Sequence, residues 1–256
     1  MNPLFDWALG LPTAVVALYL LVIWAAIAFV IHRFIVPRLC GKDGERLGRF
    51  EAEVTSQIAL AFGLLISFNA VWLWDRGDRV REAILEEAAA LESVLDEADF
   101  SADMDPAQRA EAYRLVGAYA SHLIDDEWPR LSTSSASRER PAQLIALRRF
   151  AAGSHEALVD PIKRAEAARE TRIRDGQMTM PRSRWGIVFA LGVLTLVSIG
   201  ALHGNAPRGR VLALALVTLA ISFCFIVLFV NGRPFVGDHA LQPTALAEVV
   251  SRAGRN

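Results

Sequence analysis

The sequence has few cysteines and histidines, which disulfides and many metal sites and catalytic centres require. It contains only two cysteines in 256 residues, Cys40 and Cys224, and they lie too far apart for a CxxC motif or a disulfide framework. Its five histidines show no spacing typical of metal ligands. The P-loop, dinucleotide-binding, HExxH and GxSxG patterns are missing. We therefore expect no enzyme activity, no cofactor and no metal site.

The charge balance removes nucleic acid from the expected partners. Lys and Arg number 27 and Asp and Glu number 28, so the formal net charge is −1 and the chain has no overall basic field. Hydrophobic residues make up 53% of the chain and charged residues 21%. Such a composition requires the two kinds of residue to be segregated along the sequence.

Four apolar runs contain no Asp, Glu, Lys or Arg: residues 13–31, 54–74, 185–202 and 211–230. A bilayer core about 30 Å thick needs about 20 apolar residues in a helix, and tryptophans near several ends suit the membrane boundary. We predict transmembrane helices at about 13–33, 53–75, 185–203 and 210–230. The first ten residues include Asp6 but no Lys or Arg, so we expect the first helix to be retained rather than cleaved as a signal peptide.

The stretch between the second and third runs is rich in Glu, Arg and Ala and has the pattern of water-exposed helices. Apolar residues recur every three or four positions, and loops are expected at 101–106 and 129–141. A further helix is expected from Pro141 toward Asp175, with a kink or break at Pro161. We expect the second membrane helix to continue past the bilayer, the alternative being a break at Gly77.

The fold class predicted is therefore an all-α membrane protein with four transmembrane helices and a helical soluble domain inserted between the second and third. Its expected parts are a first membrane half (1–75), the insert (76–182), a second membrane half (183–231) and a C-terminal tail (232–256). Four spans put both termini and the insert on one side of the membrane. Basic residues are divided almost evenly between the two sides, so the positive-inside rule does not give the orientation.

The second run is the only one with several polar residues, which are Thr55, Ser56, Gln57, Ser67 and Asn69. Three of them, Ser56, Gln57 and Ser67, share one face of its helix. At about 100° per residue, this face collects eleven residues: Glu53, Ser56, Gln57, Leu60, Leu64, Ser67, Phe68, Val71, Asp75, Asp78 and Glu82. Around a symmetry axis, Leu60, Leu64 and Phe68 would form stacked apolar rings, with Glu53, Gln57, Asp75, Asp78 and Glu82 at the mouths. Periodicity alone favours the alternative that these three apolar residues pack inside one subunit.

Residues 62–83, FGLLISFNAVWLWDRGDRVREA, resemble the bestrophin segment in which an apolar neck helix runs through a phenylalanine toward an arginine. Phe68 lies eight residues before Arg76, as in that pattern. More closely, residues from about 46 to 243 resemble the bestrophin-like family of bacterial membrane proteins, an uncharacterised domain family. Its marks here are the run 87–91, the Glu127-Trp128-Pro129 turn and the closing Arg233-Pro234-Phe235.

The resemblance implies a homopentameric ion channel in a bacterial inner membrane, with cytoplasmic termini and insert. Its neck would be Leu60, Leu64 and Phe68, and its partners the bilayer, other copies of the chain and small ions. The tandem tryptophans of bestrophins are replaced here by Gly77 and Asp78. Carboxylates at the mouths favour cations.

Two other functions remain open on the sequence alone. The chain could be a non-conducting anchor or sensor whose insert binds a protein or ligand. It could also act on lipid through carboxylates near Glu86 and Asp125, although no convergent set of residues supports that chemistry.

Overall fold

The computed structural model describes residues 13–41, 51–133, 135–153, 155–238 and 240–255. Every regular element in these ranges is a helix, which confirms the all-α class. The chain forms two compact units, Met1–Trp74 with Thr179–Gly232 and Asp75–Met178 with Arg233–Asn256, here called the membrane unit and the polar unit. The C-terminal segment, expected to be a separate tail, folds with the polar unit.

Four helices are long and apolar enough to cross a membrane, as predicted. The first comprises α1 (Thr13–Val30), a π-helical turn (Ile31–Ile35) and α2 (Val36–Cys40). The others are α3 (Ala52–Phe100), α8 (Arg182–Leu202) and α9 (Pro207–Val230). The first helix therefore continues past residue 33, the predicted end of the span, as far as Cys40.

A π-helical turn precedes a proline at two places in the chain. Ile31–Ile35 comes just before Pro37, and Leu123–Glu127 comes just before Pro129. A proline inside an α-helix cannot make the i to i−4 hydrogen bond, and its ring clashes with that carbonyl. The wider π turn accommodates the ring, so both helices continue for several residues past the proline. The loop predicted to begin at Pro129 therefore begins later, after α5 (Trp128–Ser132).

Helix α3 is continuous over 49 residues, or about 73 Å at 1.5 Å per residue. The predicted extension past the apolar run is confirmed, and the alternative of a break at Gly77 is wrong. Leu73, Arg76 and Val80 on either side of Gly77 are all fully or almost fully buried. Their packing outweighs the cost of about 1 kcal/mol that glycine imposes inside a helix.

The core of the membrane unit forms around Trp24 of α1. The Trp24 ring lies 4.9 Å from the ring of Phe225 on α9 and 5.1 Å from that of Phe189 on α8. Gly192 makes this packing possible, since a Cβ atom there would lie 2.7 Å from Trp24. Trp24 of α1 thus packs against both α8 and α9 at the centre of this core.

The polar unit contains the C-terminal half of α3 together with α4 (Pro106–His122), α5, α6 (Ala142–Ala152), α7 (Val159–Gln177) and α10 (Thr244–Ala253). Asp105 caps α4 in a capping box with Gln108. The break expected at Pro161 is wrong, because the chain leaves the helix earlier, at Gly153, and Pro161 lies in the first turn of α7. First-turn N–H groups have no partner within the helix, so proline costs little there.

The apolar stripes predicted for the insert form the core of this unit. Val80, Ile84, Leu91 and Leu95 of α3 are all buried. Leu91 and Leu95 share one cluster with Tyr113, Val116 and Ala120 of α4 and with Leu246 and Val249 of α10. Val80 and Ile84 lie in a second cluster with Phe235. The C-terminal helix therefore completes the core that the insert begins.

Gly176 offers a test of packing in this unit. A Cβ atom there would lie 2.5 Å from Cε2 of Phe235, a buried ring. We expect Gly176→Ala to cost about 1–3 kcal/mol through overpacking, measured as a lower melting temperature. Gly77→Ala is the matched control, because nothing lies within 4 Å of its Cβ, and it should stabilise the helix by about 1 kcal/mol. Equal shifts for the two variants would contradict the packing argument.

Candidate functional site

The face of α3 predicted from helical periodicity, here called the α3 face, is uncovered along its whole length. All eleven of its residues, from Glu53 to Glu82, are exposed in the single chain. The side chains of Leu60, Leu64 and Phe68 are 63%, 51% and 70% exposed. The alternative in which these three residues pack inside one subunit is therefore wrong.

The serines and threonines within the apolar runs of α8 and α9 behave differently from the polar residues of the α3 face. Thr195 and Ser198 of α8 and Thr218 and Ser222 of α9 are buried, as expected for polar groups in a membrane helix. Ser56, Gln57 and Ser67 of α3 are exposed. The hydroxyls of Ser56 and Ser67 donate to the carbonyls of Ala52 and Gly63, at 3.0 and 2.9 Å, whereas no hydrogen bond is found for the Gln57 side chain among the described residues.

The carboxylates at the two ends of this face are exposed and mostly unpaired. Among the described residues, Glu53, Asp75 and Glu82 lie within 4 Å of no basic side chain, whereas Asp78 accepts from Arg81 at 2.9 Å. A face with an apolar middle thus has a net negative charge at each end.

Arg76, which follows this stretch, is fully buried rather than exposed. Its guanidinium donates to the carbonyl of Met178, just beyond the end of α7. The arginine that carries part of the family resemblance therefore connects α3 to the end of another helix of the polar unit.

The most heavily charged part of the protein interior is a buried ion network in the polar unit, formed by Glu87, Glu127, Arg169 and Arg172. Arg172 donates to Glu87 at 2.7 Å through Nε and to Glu127 at 2.5 Å through Nη2. Arg169 donates to Glu127 at 2.8 Å. The negative charges of the two carboxylates equal the positive charges of the two guanidinium groups, so the network has no net charge.

The surroundings of this network raise the pKa values of Arg172 and Tyr119. Burial alone would lower the pKa of Arg172, but the charges of Glu87 and Glu127 outweigh it and raise that pKa above its ordinary value. Burial also raises the pKa of Tyr119 well above its usual range, and the Glu87 charge adds to the effect. The Tyr119 hydroxyl therefore stays protonated and donates to Glu87 at 2.9 Å.

The remaining motif residues surround the same network. The Trp128 ring lies 5.6 Å from the Arg172 guanidinium and meets Phe235 edge-on at 5.2 Å. Its indole N–H donates to the carbonyl of Leu241 at 3.3 Å. The chain reverses after Arg233-Pro234-Phe235 through Gly237, at φ +90°, and Leu241 donates back to the Pro234 carbonyl at 2.8 Å. Pro129 lies exposed beside Trp128.

Sequence reasoning missed half of this network. Glu87 and Glu127 were singled out as family marks, but Arg169, Arg172 and Tyr119 were not. Arg172 is 85 residues from Glu87 and 45 from Glu127, and its neighbours in sequence include exposed arginines, such as Arg174, that look the same. The sequence alone does not show which arginine of this polar helix is buried, and burial is what distinguishes Arg172 from Arg174.

The residues considered for lipid chemistry make separate local contacts. Glu86 lies 3.6 Å from Arg164, and Asp126, next to the exposed Asp125, lies 2.9 Å from His122 on its own helical segment. Among the residues the structure describes, no group of three His, Cys, Asp or Glu side chains could hold a metal ion.

Comparison with known proteins adds one family match. No curated protein and no solved structure gave a significant match. The model of the Bestrophin-like domain matches residues 19–246, most of the chain. Residues from all three motifs that suggested this family, at Glu87, Glu127-Trp128 and Phe235, meet at the buried network. The chain belongs to the bestrophin-like family and is a membrane protein of that family.

Proposed function

We propose that this chain forms an oligomeric ion channel in which α3 lines a central pore. Leu60, Leu64 and Phe68 form its hydrophobic neck, and the α3 faces of several copies surround the axis. The family resemblance supports a pentamer in a bacterial inner membrane, with the termini and the polar unit in the cytoplasm.

The observation that carries this proposal is the exposure of Ser56, Gln57 and Ser67 on α3, whereas the serines and threonines within the apolar runs of α8 and α9 are buried. Lipid-facing positions of α9 are apolar, for example Leu212, Leu216 and Phe223, because polar side chains in hydrocarbon are costly. An exposed Gln57 in the apolar part of α3 is better accommodated by another copy of the chain or by a water-filled path. A shared axis supplies both.

The apolar middle of the α3 face suits a gate. Leu60, Leu64 and Phe68 follow one another at intervals of four residues, about 6 Å apart along the helix. Rings of such side chains close a pore by excluding water, without a physical plug. The neck is thus a barrier whose height depends on how apolar its rings are.

The charges at the mouths favour cations over anions. Glu53 lies at one end of the neck, and Asp75, Asp78 and Glu82 lie at the other. In an oligomer each position becomes a ring of carboxylates, which raises the local concentration of cations. A preference for potassium over chloride is therefore proposed.

Native mass spectrometry of the detergent-purified protein tests the oligomer, and reversal potentials of the reconstituted protein test the ion. We expect a discrete pentamer and a reversal potential close to that of potassium in a KCl gradient. A monomer or dimer would leave no axis for a shared pore and would favour the anchor or sensor function. A reversal potential close to that of chloride would contradict the cation preference.

A further inference from the structure

The membrane unit contains a cavity of about 310 Å³ between α3 and α8. Its apolar wall comes from Leu65 and Phe68 of α3 and Ile187 of α8. The remaining lining residues, Asn69, Trp72 and Arg184, are polar or amphipathic. The cavity is thus apolar along most of its length and cationic at one end.

Arg184 is the charged group of this cavity. Its guanidinium lies 5.3 Å from the centre of the Trp72 ring, a cation–π contact that holds the side chain over the cavity wall. Among the described residues Arg184 has no carboxylate within 4 Å, and its side chain is exposed. The aromatic contact orients the arginine but leaves its charge without a counterion.

The position of Arg184 along its helix places this charge at a membrane boundary. Arg184 immediately precedes the apolar run 185–202, and Trp72 lies near the end of the apolar run 54–74. Tryptophan is enriched at the level of the lipid headgroups, and arginine there reaches phosphate groups. The apolar wall continues from this boundary into the span, the direction in which an acyl chain runs.

We propose that this cavity binds an anionic phospholipid, with its phosphate on Arg184 and part of one acyl chain against Leu65, Phe68 and Ile187. Charge complementarity selects this occupant, because an unpaired guanidinium beside an apolar wall matches a molecule with a negative headgroup and a hydrocarbon tail. Asn69 also lines the cavity, and its amide donates to the Leu65 carbonyl at 2.7 Å. Phe68 also belongs to the proposed neck, so the variants that test the lipid site are placed on α8, where they leave the neck side chains unchanged.

Native mass spectrometry with added lipid tests the site. The purified protein is titrated with phosphatidylglycerol or phosphatidylcholine carrying identical acyl chains, and bound lipids are counted per subunit. One basic residue near a membrane surface strengthens the binding of anionic lipid about fivefold, and we expect that preference for phosphatidylglycerol. Arg184→Gln should abolish it. Arg182→Gln is the matched control, since Arg182 lies on the same exposed first turn but does not line the cavity.

A second variant tests the apolar part without touching the charge. Ile187→Trp should fill the cavity and reduce the retention of both lipids. Leu212→Trp is the control: Leu212 is exposed on α9, and this variant should leave lipid retention unchanged. An unchanged preference in Arg184→Gln would overturn the proposal, as would displacement of the lipid by inorganic phosphate, which would indicate a free-anion site. The proposal would also be overturned if Arg184→Gln changed the number of subunits without losing bound lipid, because that result would show that a neighbouring copy covers Arg184. The subunit count in the same spectrum reports on the proposed oligomer separately from the lipid count.

Discussion

Replacing Arg172 with methionine is expected to lower the free energy of unfolding of the polar unit by about 3–5 kcal/mol. The change removes the group that bridges Glu87 and Glu127, both buried carboxylates. Glu127 would keep Arg169, but Glu87 would keep only the Tyr119 hydroxyl. A buried charge without a countercharge is among the costliest defects in a protein interior. The melting temperature in detergent, followed by tryptophan fluorescence, should fall by about 10 °C.

Arg164→Met is the matched control for this experiment. Arg164 lies on the same helix and faces Glu86 at 3.6 Å, but both side chains are about half exposed. Exposed pairs of this kind contribute about 0–1 kcal/mol, so little change in the melting temperature is expected. Comparable losses for the two variants would show that the buried network has no special role in stability.

The pH dependence of the stability of Arg172→Met tests whether Glu87 is the carboxylate left without a countercharge. Burial already raises the pKa of Glu87 even with Arg172 present, and removal of the guanidinium should raise it further. A folded-state pKa above the unfolded value means that stability is fully present below the unfolded pKa and is lost as the pH rises through the folded pKa. The loss in free energy of unfolding caused by Arg172→Met should therefore be smaller at pH 5 than at pH 8. Adding Glu87→Gln should recover part of the loss at the higher pH and remove this dependence.

Much of the fold could be predicted because a bilayer imposes a strict local pattern. A run of about 20 residues without charge has few alternatives to a membrane helix, and all four candidates were found in this way. The extension of α3 past Gly77 followed from the absence of any stronger helix breaker. The end of the first helix could not be predicted, because the π turn before Pro37 lets it continue into a segment that contains Arg33 and Arg38.

The residues of the α3 face, the buried network and the lipid cavity could be predicted from the sequence to different degrees. The α3 face follows from helical periodicity within a single segment, so its eleven members could be named from sequence alone. The buried network and the lipid cavity depend on pairs such as Arg172 with Glu87 and Arg184 with Trp72, which are separated by 85 and 112 positions. No local pattern indicates which arginine of a charged helix will be buried, since that depends on how helices distant in sequence pack.

The bestrophin-like motifs have different physical roles from the proposed neck. Glu87, Glu127, Trp128 and Phe235 lie in the interior of the polar unit, where they hold α3, α5, α7 and the C-terminal turn together. Leu60, Leu64 and Phe68 are exposed and contribute little to the packing of the single chain. Variants of the first group should therefore act on stability, and variants of the second group on conduction.

Replacing both Leu60 and Leu64 with serine is expected to raise the basal ion flux of the reconstituted protein about tenfold or more. The substitution makes two of the three apolar rings polar, and each 1.4 kcal/mol removed from the dewetting barrier increases the flux about tenfold. Leu212→Ser with Leu216→Ser is the matched control, because these two leucines are also four residues apart and similarly exposed, at 62% and 60%, but lie on α9. Flux of potassium from proteoliposomes measures both variants at equal protein content. If the two double variants leak equally, α3 does not line the pore, because the α9 pair differs from the α3 pair only in the helix that carries it.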